Sequence, residues 1–205
     1  MGEHSRYNVG GDEVEMNGVL KNKLGVSDKE RLENIETLLL NDSYGCFTEL
    51  LRKGKIKFDV KLIFDIHKYF LSSLYFWAGK IRTVEISKNN ILFCASSQIS
   101  KELDAFDKIL AKNIPTITDR REIVSSKLAI IHCEFNAIHP FREGNGRAIR
   151  LFLDLLALSV GFDVINYDAN SKKDYIKACV WGMSSDYSKM KNIIYKGLIN
   201  NVNHA

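Results

Sequence analysis

Two prolines, Pro115 and Pro140, occur in 205 residues. Proline removes a backbone donor and breaks helices, so its scarcity leaves room for long ones. The four cysteines, Cys46, Cys94, Cys133 and Cys179, form no C-x-x-C pair, and no histidine stands at ligand spacing from any of them. That argues against a zinc module and against a disulfide scaffold, and the thiols are expected to be reduced. The first residues, Met1-Gly2-Glu3-His4-Ser5-Arg6, lack the apolar core of a signal peptide. No stretch offers the roughly 18 uncharged apolar residues of a spanning helix. The chain is therefore expected to be soluble and cytoplasmic, with no membrane partner. No run of five or six like charges occurs, and the formal charge is only +4. Without a basic stripe interleaved with aromatics, no nucleic acid is expected as a partner. Also missing are internal repeats, low-complexity tracts and a G-x-x-x-x-G-K-[ST] phosphate loop.

What is present is the balance of an ordinary globular domain, 45% hydrophobic and 26% charged. Residues 1–18 are polar and glycine-bearing and read as a flexible leader; residues 19–200 read as one domain. Ser27 with Glu30 forms a capping-box pattern before Leu32, Ile35, Leu38 and Leu39 at helical spacing, which predicts a helix over 28–40. A shorter helix is expected at 44–53 and another at 59–74. Further helices are expected over 99–112, from a capping box at Asp119 and Glu122 to Ile138, and over 144–158, 171–183 and 186–200. The 144–158 segment is apolar nearly all round, as a buried central helix would be. Residues 82–94 change period: Val84, Ile86, Ile91 and Phe93 flank a polar turn, Ser87-Lys88-Asn89-Asn90, and predict a β-hairpin. It is the one strand signal in a mainly α chain. A lone hairpin must lean on helices to be stable, and its edges suit an extended peptide.

The chemistry concentrates in residues 139–150, HPFREGNGRAIR. Gly144 and Gly146 around Asn145 let the backbone turn tightly where a loop enters a helix. The backbone N–H groups there have no intrahelical partners, and the helix dipole adds positive potential, which suits phosphate. Arg147 and Arg150, three apart, share one side of the first turns and bring planar donor forks for phosphate oxygens. Glu143 offers a hard oxygen ligand for Mg²⁺. His139, just before this nest, has the proton affinity of a general base near neutral pH. A base beside a phosphate site points to a hydroxyl attacking phosphorus.

These residues match every specified position of the Fic signature, H-P-F-x-[DE]-G-N-G-R-x-x-R. Leu20-Lys21-Asn22-Lys23-Leu24-Gly25 resembles the opening of bacterial Fic domains. Tyr75-Phe76-Trp77-Ala78-Gly79-Lys80-Ile81-Arg82 resembles their WAG-x-x-R segment ahead of a flap hairpin. The resemblance spans about residues 19–195. It implies a Fic-type helical bundle around a buried central helix, with 82–94 as the flap. The activity it implies is transfer of AMP from ATP to a Tyr, Thr or Ser hydroxyl of a target protein. His139 would deprotonate that hydroxyl and Glu143 would hold Mg²⁺. Gly144, Asn145 and Gly146 would cradle the phosphates, and Arg147 and Arg150 would hold the β- and γ-phosphates. Ser87, Lys88, Asn89 and Asn90 at the flap tip would cover the nucleotide, Tyr175 would face the adenosine, and the target segment would dock on the 82–94 hairpin. Alternatives are another transferase of the same fold or an inactive binding module. The inhibitory motif of many relatives, [ST]-x-x-x-E-[GN], has no match; the nearest approach, Thr118 to Glu122, is followed by Ile123. This resembles the toxin–antitoxin arrangement, in which a separate small inhibitor would bring a glutamate to Arg150.

Overall fold

The computed structural model describes residues 8–9, 19–88 and 91–200. The segment that opens the domain is a turn organised by one side chain. Asn22 donates from Nδ2 to the Leu20 and Val26 carbonyls, and its Oδ1 accepts from the Leu24 and Val26 N–H groups. Lys23 N–H then bonds to the Leu74 carbonyl, tying this turn to the end of the second helix.

Helix α1 runs Lys29–Arg52 without interruption, where two helices were expected. Asn41-Asp42-Ser43 suggests a break, because such side chains compete for backbone groups. Ser43 instead bonds back to the Leu39 carbonyl at 2.7 Å, and buried Phe47 carries the apolar face onward. The cap is Asp28, which accepts from Arg31 N–H at 2.7 Å, and not Ser27. Helix α2, Val60–Leu71, starts under Asp59, which accepts from Leu62 N–H.

A small antiparallel sheet follows, with strand order β1-β2-β3. Strands β2 (Ile86–Lys88) and β3 (Ile91–Leu92) form the expected hairpin, Ser87 opposite Leu92. Strand β1 (Asn8–Val9) comes from the segment expected to be a flexible leader. It pairs with β2 in the register Asn8↔Ser87 and Val9↔Ile86. The hairpin's own edge for a newcomer is therefore β3.

Helices α3 (Ile99–Asn113), α4 (Arg121–Ile138), α5 (Asn145–Ser159), α6 (Lys172–Gly182) and α7 (Ser188–Gly197) complete the bundle. The capping box expected at Asp119 does not form: Asp119 accepts from Thr116 N–H and pairs with Lys127, and the helix starts without a side-chain cap. Helix α5 is the buried centre. Ala148, Ile149, Leu151, Phe152, Leu153, Leu155 and Leu156 are at most 1% exposed, and the helix packs against α1, α2 and α4. Burying such side chains stabilises by about 1.5–3 kcal/mol each, which fixes α5 as the rigid base of the site at its N-terminus. The four cysteines are all unbridged.

Candidate active site

Two features of the chain place His139. Helix α4 ends there because Pro140 cannot continue it. His139 itself adopts a left-handed backbone, φ 52° and ψ 60°, at the C-cap. Such a conformation is uncommon outside glycine and persists only where its surroundings hold it. Here Arg82 holds it. Arg82 donates from Nε to the His139 carbonyl at 2.8 Å and from its terminal nitrogens to the carbonyls of Val84 and Cys94. Its N–H bonds to the Pro140 carbonyl at 2.8 Å. One buried guanidinium thus joins both legs of the flap to the turn that carries the histidine.

The His139 ring stacks on Phe93 of the flap, centroids 3.9 Å apart. Its Nδ1 lies 3.0 Å from the Asn136 carbonyl. A carbonyl only accepts, so Nδ1 carries the proton and Nε2 is left with its lone pair, the tautomer of a base. Burial, then the charges of Arg82 and Lys88, push the imidazole down to about 3. It is neutral across the physiological range.

The loop from Phe141 to Gly144 is closed by its own residues. Asn145 accepts from Phe141 N–H and donates to the Phe141 carbonyl, both at 2.8 Å, so its side chain shapes the loop. Gly144 has φ 82°, and a Cβ there would come within 2.9 Å of Leu71 and 3.3 Å of the His67 ring. Buried His67 receives Gly79 N–H at Nδ1 and so donates from Nε2 to the Glu143 carbonyl. It stacks on Phe141 at 3.7 Å. The tryptophan–alanine–glycine segment and the signature loop are thereby fastened through one imidazole, which burial keeps neutral.

Above the start of α5 opens a cavity of about 470 Å³. Of the residues expected at the site, His139, Gly146, Arg150, Lys88 and Tyr175 line it together. Gly146 has nothing within 4 Å of the position a Cβ would take, so its backbone is open to a ligand. Arg150 lies 5.8 Å from the Tyr167 ring and 5.9 Å from the Tyr175 ring. Tyr167, Asp168, Asn170 and Cys179 are also in the wall and were not anticipated. They come from a turn and a helix whose sequence carries no chemical signature.

The structure does not bring every expected residue to this cavity. Ser87 lies in the middle strand, away from the wall; Asn89 and Asn90 lie outside the described residues. The Glu143 Oε1 accepts from Gly144 N–H at 2.9 Å and stands 3.6 Å from Arg147. Among the described residues no group of three or more histidine, cysteine or carboxylate side chains could cage a metal. Glu143 as a single carboxylate beside a phosphate nest still suits Mg²⁺, which takes most of its ligands from phosphate and water. Arg147, expected beside Arg150 as a phosphate ligand, lies outside this cavity wall. Its guanidinium bonds Glu36 of α1 at 2.6 Å, and Glu36 also accepts from the Tyr75 hydroxyl. This ion pair fastens α5 to α1.

Comparison with known proteins fits this geometry. A model of the Fic/DOC family matches residues 57–157. The protein adenylyltransferase VbhT of Bartonella schoenbuchensis is 32% identical over 182 residues, which cover 88% of this chain and 37% of VbhT. The chain thus spans well under half of VbhT's length. The probable protein adenylyltransferase y4lH of Sinorhizobium fredii is 28% identical over 188 residues, covering 90% of this chain and 95% of that protein. The crystal structure of the effector BepC from Bartonella tribocorum, solved with bound AMPPNP, superposes with a TM-score of 0.72 at 22% identity, covering 88% of this chain and 92% of that one. Signature, hairpin, central helix and relatives agree: the chain belongs to the Fic/DOC family.

Proposed function

We infer that this protein transfers AMP from ATP to a hydroxyl side chain of a target protein. The observation that carries the reading is one arrangement. The proton-free Nε2 of His139 shares a cavity with Arg150 and with the open Gly146 backbone at the start of α5. Relatives named as protein adenylyltransferases support the choice of AMP.

In this mechanism the target hydroxyl gives its proton to His139 Nε2 as its oxygen attacks the α-phosphorus. The bond from that phosphorus to the bridging oxygen of the β-phosphate breaks, and pyrophosphate leaves. The Nδ1–H bond to the Asn136 carbonyl keeps the ring in place and steadies the imidazolium that forms. The N–H groups at the start of α5 and the Arg150 guanidinium stabilise the phosphates, where one preorganised donor is worth roughly 3–4 kcal/mol. Mg²⁺ held by Glu143 would supply charge neutralisation on the phosphates. The target segment would pair with β3, since β1 already covers the far side of β2. The absence of an inhibitory motif favours restraint by a separate small protein whose glutamate meets Arg150, in a toxin-like cytoplasmic setting.

The test is labelling of lysate proteins with ATP carrying a label on its α-phosphate. His139→Ala is expected to lower labelling on the order of 10²–10⁴-fold while the variant still binds ATP. Undiminished labelling would end the mechanism.

A further inference from the structure

His132 lies on α4 seven residues, about two turns, before His139. It is 1% exposed, and burial followed by the charge of Arg150 pushes its imidazole down to about 3, so the ring is neutral. Its Nε2 is 2.7 Å from the Tyr175 hydroxyl, with the rings edge to face at 5.5 Å. Its Nδ1 is buried and has no hydrogen-bond partner.

That asymmetry fixes the direction of the bond. A neutral imidazole has one N–H and one lone pair. If the proton were on Nδ1, a buried donor would be orphaned, which is the costlier and rarer outcome. The proton therefore belongs on Nε2, and His132 donates to the Tyr175 oxygen. The tyrosine's own hydrogen is then left for a different acceptor. On the cavity side the neighbouring protein acceptor is the Cys179 sulfur, a weak one. Burial pushes the Tyr175 phenol up, so the hydroxyl keeps its proton.

Three further observations converge on the same wall. The Tyr175 ring packs edge-on against Tyr167 at 5.8 Å. The Arg150 guanidinium lies within 6 Å of both rings, at cation–π distance. The Tyr167 hydroxyl and the Asn170 amide nitrogen are buried atoms of cavity-lining residues and have no partner. Buried polar atoms left unpaired point to a ligand that pairs with them.

We propose that His132 is a positioning residue for nucleotide binding: by donating to Tyr175 it aims the phenol hydrogen into the cavity and braces the aromatic wall against which Arg150 rests. It touches no substrate. It acts through Tyr175, and the ligand acceptor is an oxygen or ring nitrogen of the nucleoside half of the nucleotide. The inference rests on the ATP-dependent reading above and adds a residue outside the signature to it.

The experiment measures binding of a non-hydrolysable ATP analogue by calorimetry, together with KM for ATP and kcat for target labelling. The variants are Tyr175→Phe, His132→Leu and His132→Gln. Tyr175→Phe removes only the hydroxyl and should weaken analogue binding and raise KM roughly tenfold, with kcat nearly unchanged. His132→Leu should do the same, and the double variant should be no worse than either single one. His132→Gln, whose amide can donate from about the position of Nε2, should restore most of the affinity. If His132→Leu fails to fold, Tyr175→Phe, which keeps the ring, still decides the matter. Affinity and KM unaltered in Tyr175→Phe would overturn the proposal, as would His132→Gln behaving like His132→Leu. A wild type that binds no ATP analogue would overturn the parent reading and this one together.

Discussion

Arg147 and Arg150 are three residues apart on α5, yet their surroundings differ. Arg147 closes on buried Glu36, which also takes the Tyr75 hydroxyl, and so belongs to the joint between α5 and α1. Arg150 makes no ion pair among the described residues and rests beside two tyrosine rings in the cavity wall. Three steps of about 100° leave the two side chains roughly 60° apart around the helix, enough to bring one guanidinium to Glu36 and the other to the cavity wall. Motif spacing puts both charges on one side of a helix, and tertiary packing decides which charge remains available.

Breaking the Arg147 side should have the largest effect. Arg147→Ala removes the guanidinium from buried Glu36 and is expected to cost about 3–5 kcal/mol of stability, read as a lowered denaturation midpoint. Glu36→Gln in the same chain should recover part of it, because the amide still accepts from Tyr75. Arg150→Ala should show the reverse pattern: a loss of about 1.5–3 kcal/mol in nucleotide affinity with a melting temperature close to that of the wild type. If Arg147→Ala weakened nucleotide binding while leaving stability intact, the division between the two arginines would be wrong.

Acidification probes the two sides at once. His67, His132 and His139 are each held near 3 by burial, against an ordinary value of 6.5. The unfolded chain therefore binds more protons between pH 6.5 and 3, and stability falls as the pH drops through that window. Each histidine contributes roughly 1.4 kcal/mol per pH unit. Asp154, which burial raises to about 6, has the opposite sign and offsets part of the loss. Denaturant midpoints measured from pH 7 to pH 4 should decline; a flat profile would show that the imidazoles are not buried neutral. The smallest effect is expected far from both arginines. Gly45 is exposed in the middle of α1, its φ is ordinary and nothing lies within 4 Å of its Cβ position. Gly45→Ala should stabilise by about 0.5–1 kcal/mol with labelling unchanged.

Much of the molecule is legible in its sequence. The period of the apolar residues locates the central helix, the alternation at Val84 to Phe93 locates the hairpin, and the signature residues locate the turn and helix start whose His139, Gly146 and Arg150 line the cavity. What escapes has a common cause: it depends on pairs distant in the chain. Glu36 is 111 residues from Arg147, and nothing in its surroundings marks it as that arginine's partner. The run through Asn41-Asp42-Ser43 reads as a break until the packing of Phe47 is known. Strand β1 has two residues and no alternation to reveal it. His132 does leave a trace, a second histidine at helical spacing from the first, but its meaning depends on Tyr175, which reaches it from another helix.

The Arg82 clamp has a consequence for how such a molecule can diversify. The hydrogen bonds from its guanidinium to the flap and to the histidine turn end on main-chain carbonyls, those of Val84, Cys94 and His139. Carbonyls are the same whatever side chain they accompany. Most side chains of the hairpin between Val84 and Cys94 can therefore change without breaking these bonds; buried Ile86, Phe93 against the His139 ring, and Glu85, 3.9 Å from the Arg82 guanidinium, are the exceptions. A flap held chiefly by main-chain atoms could take on a new exposed surface while the turn that carries His139 stays as it is.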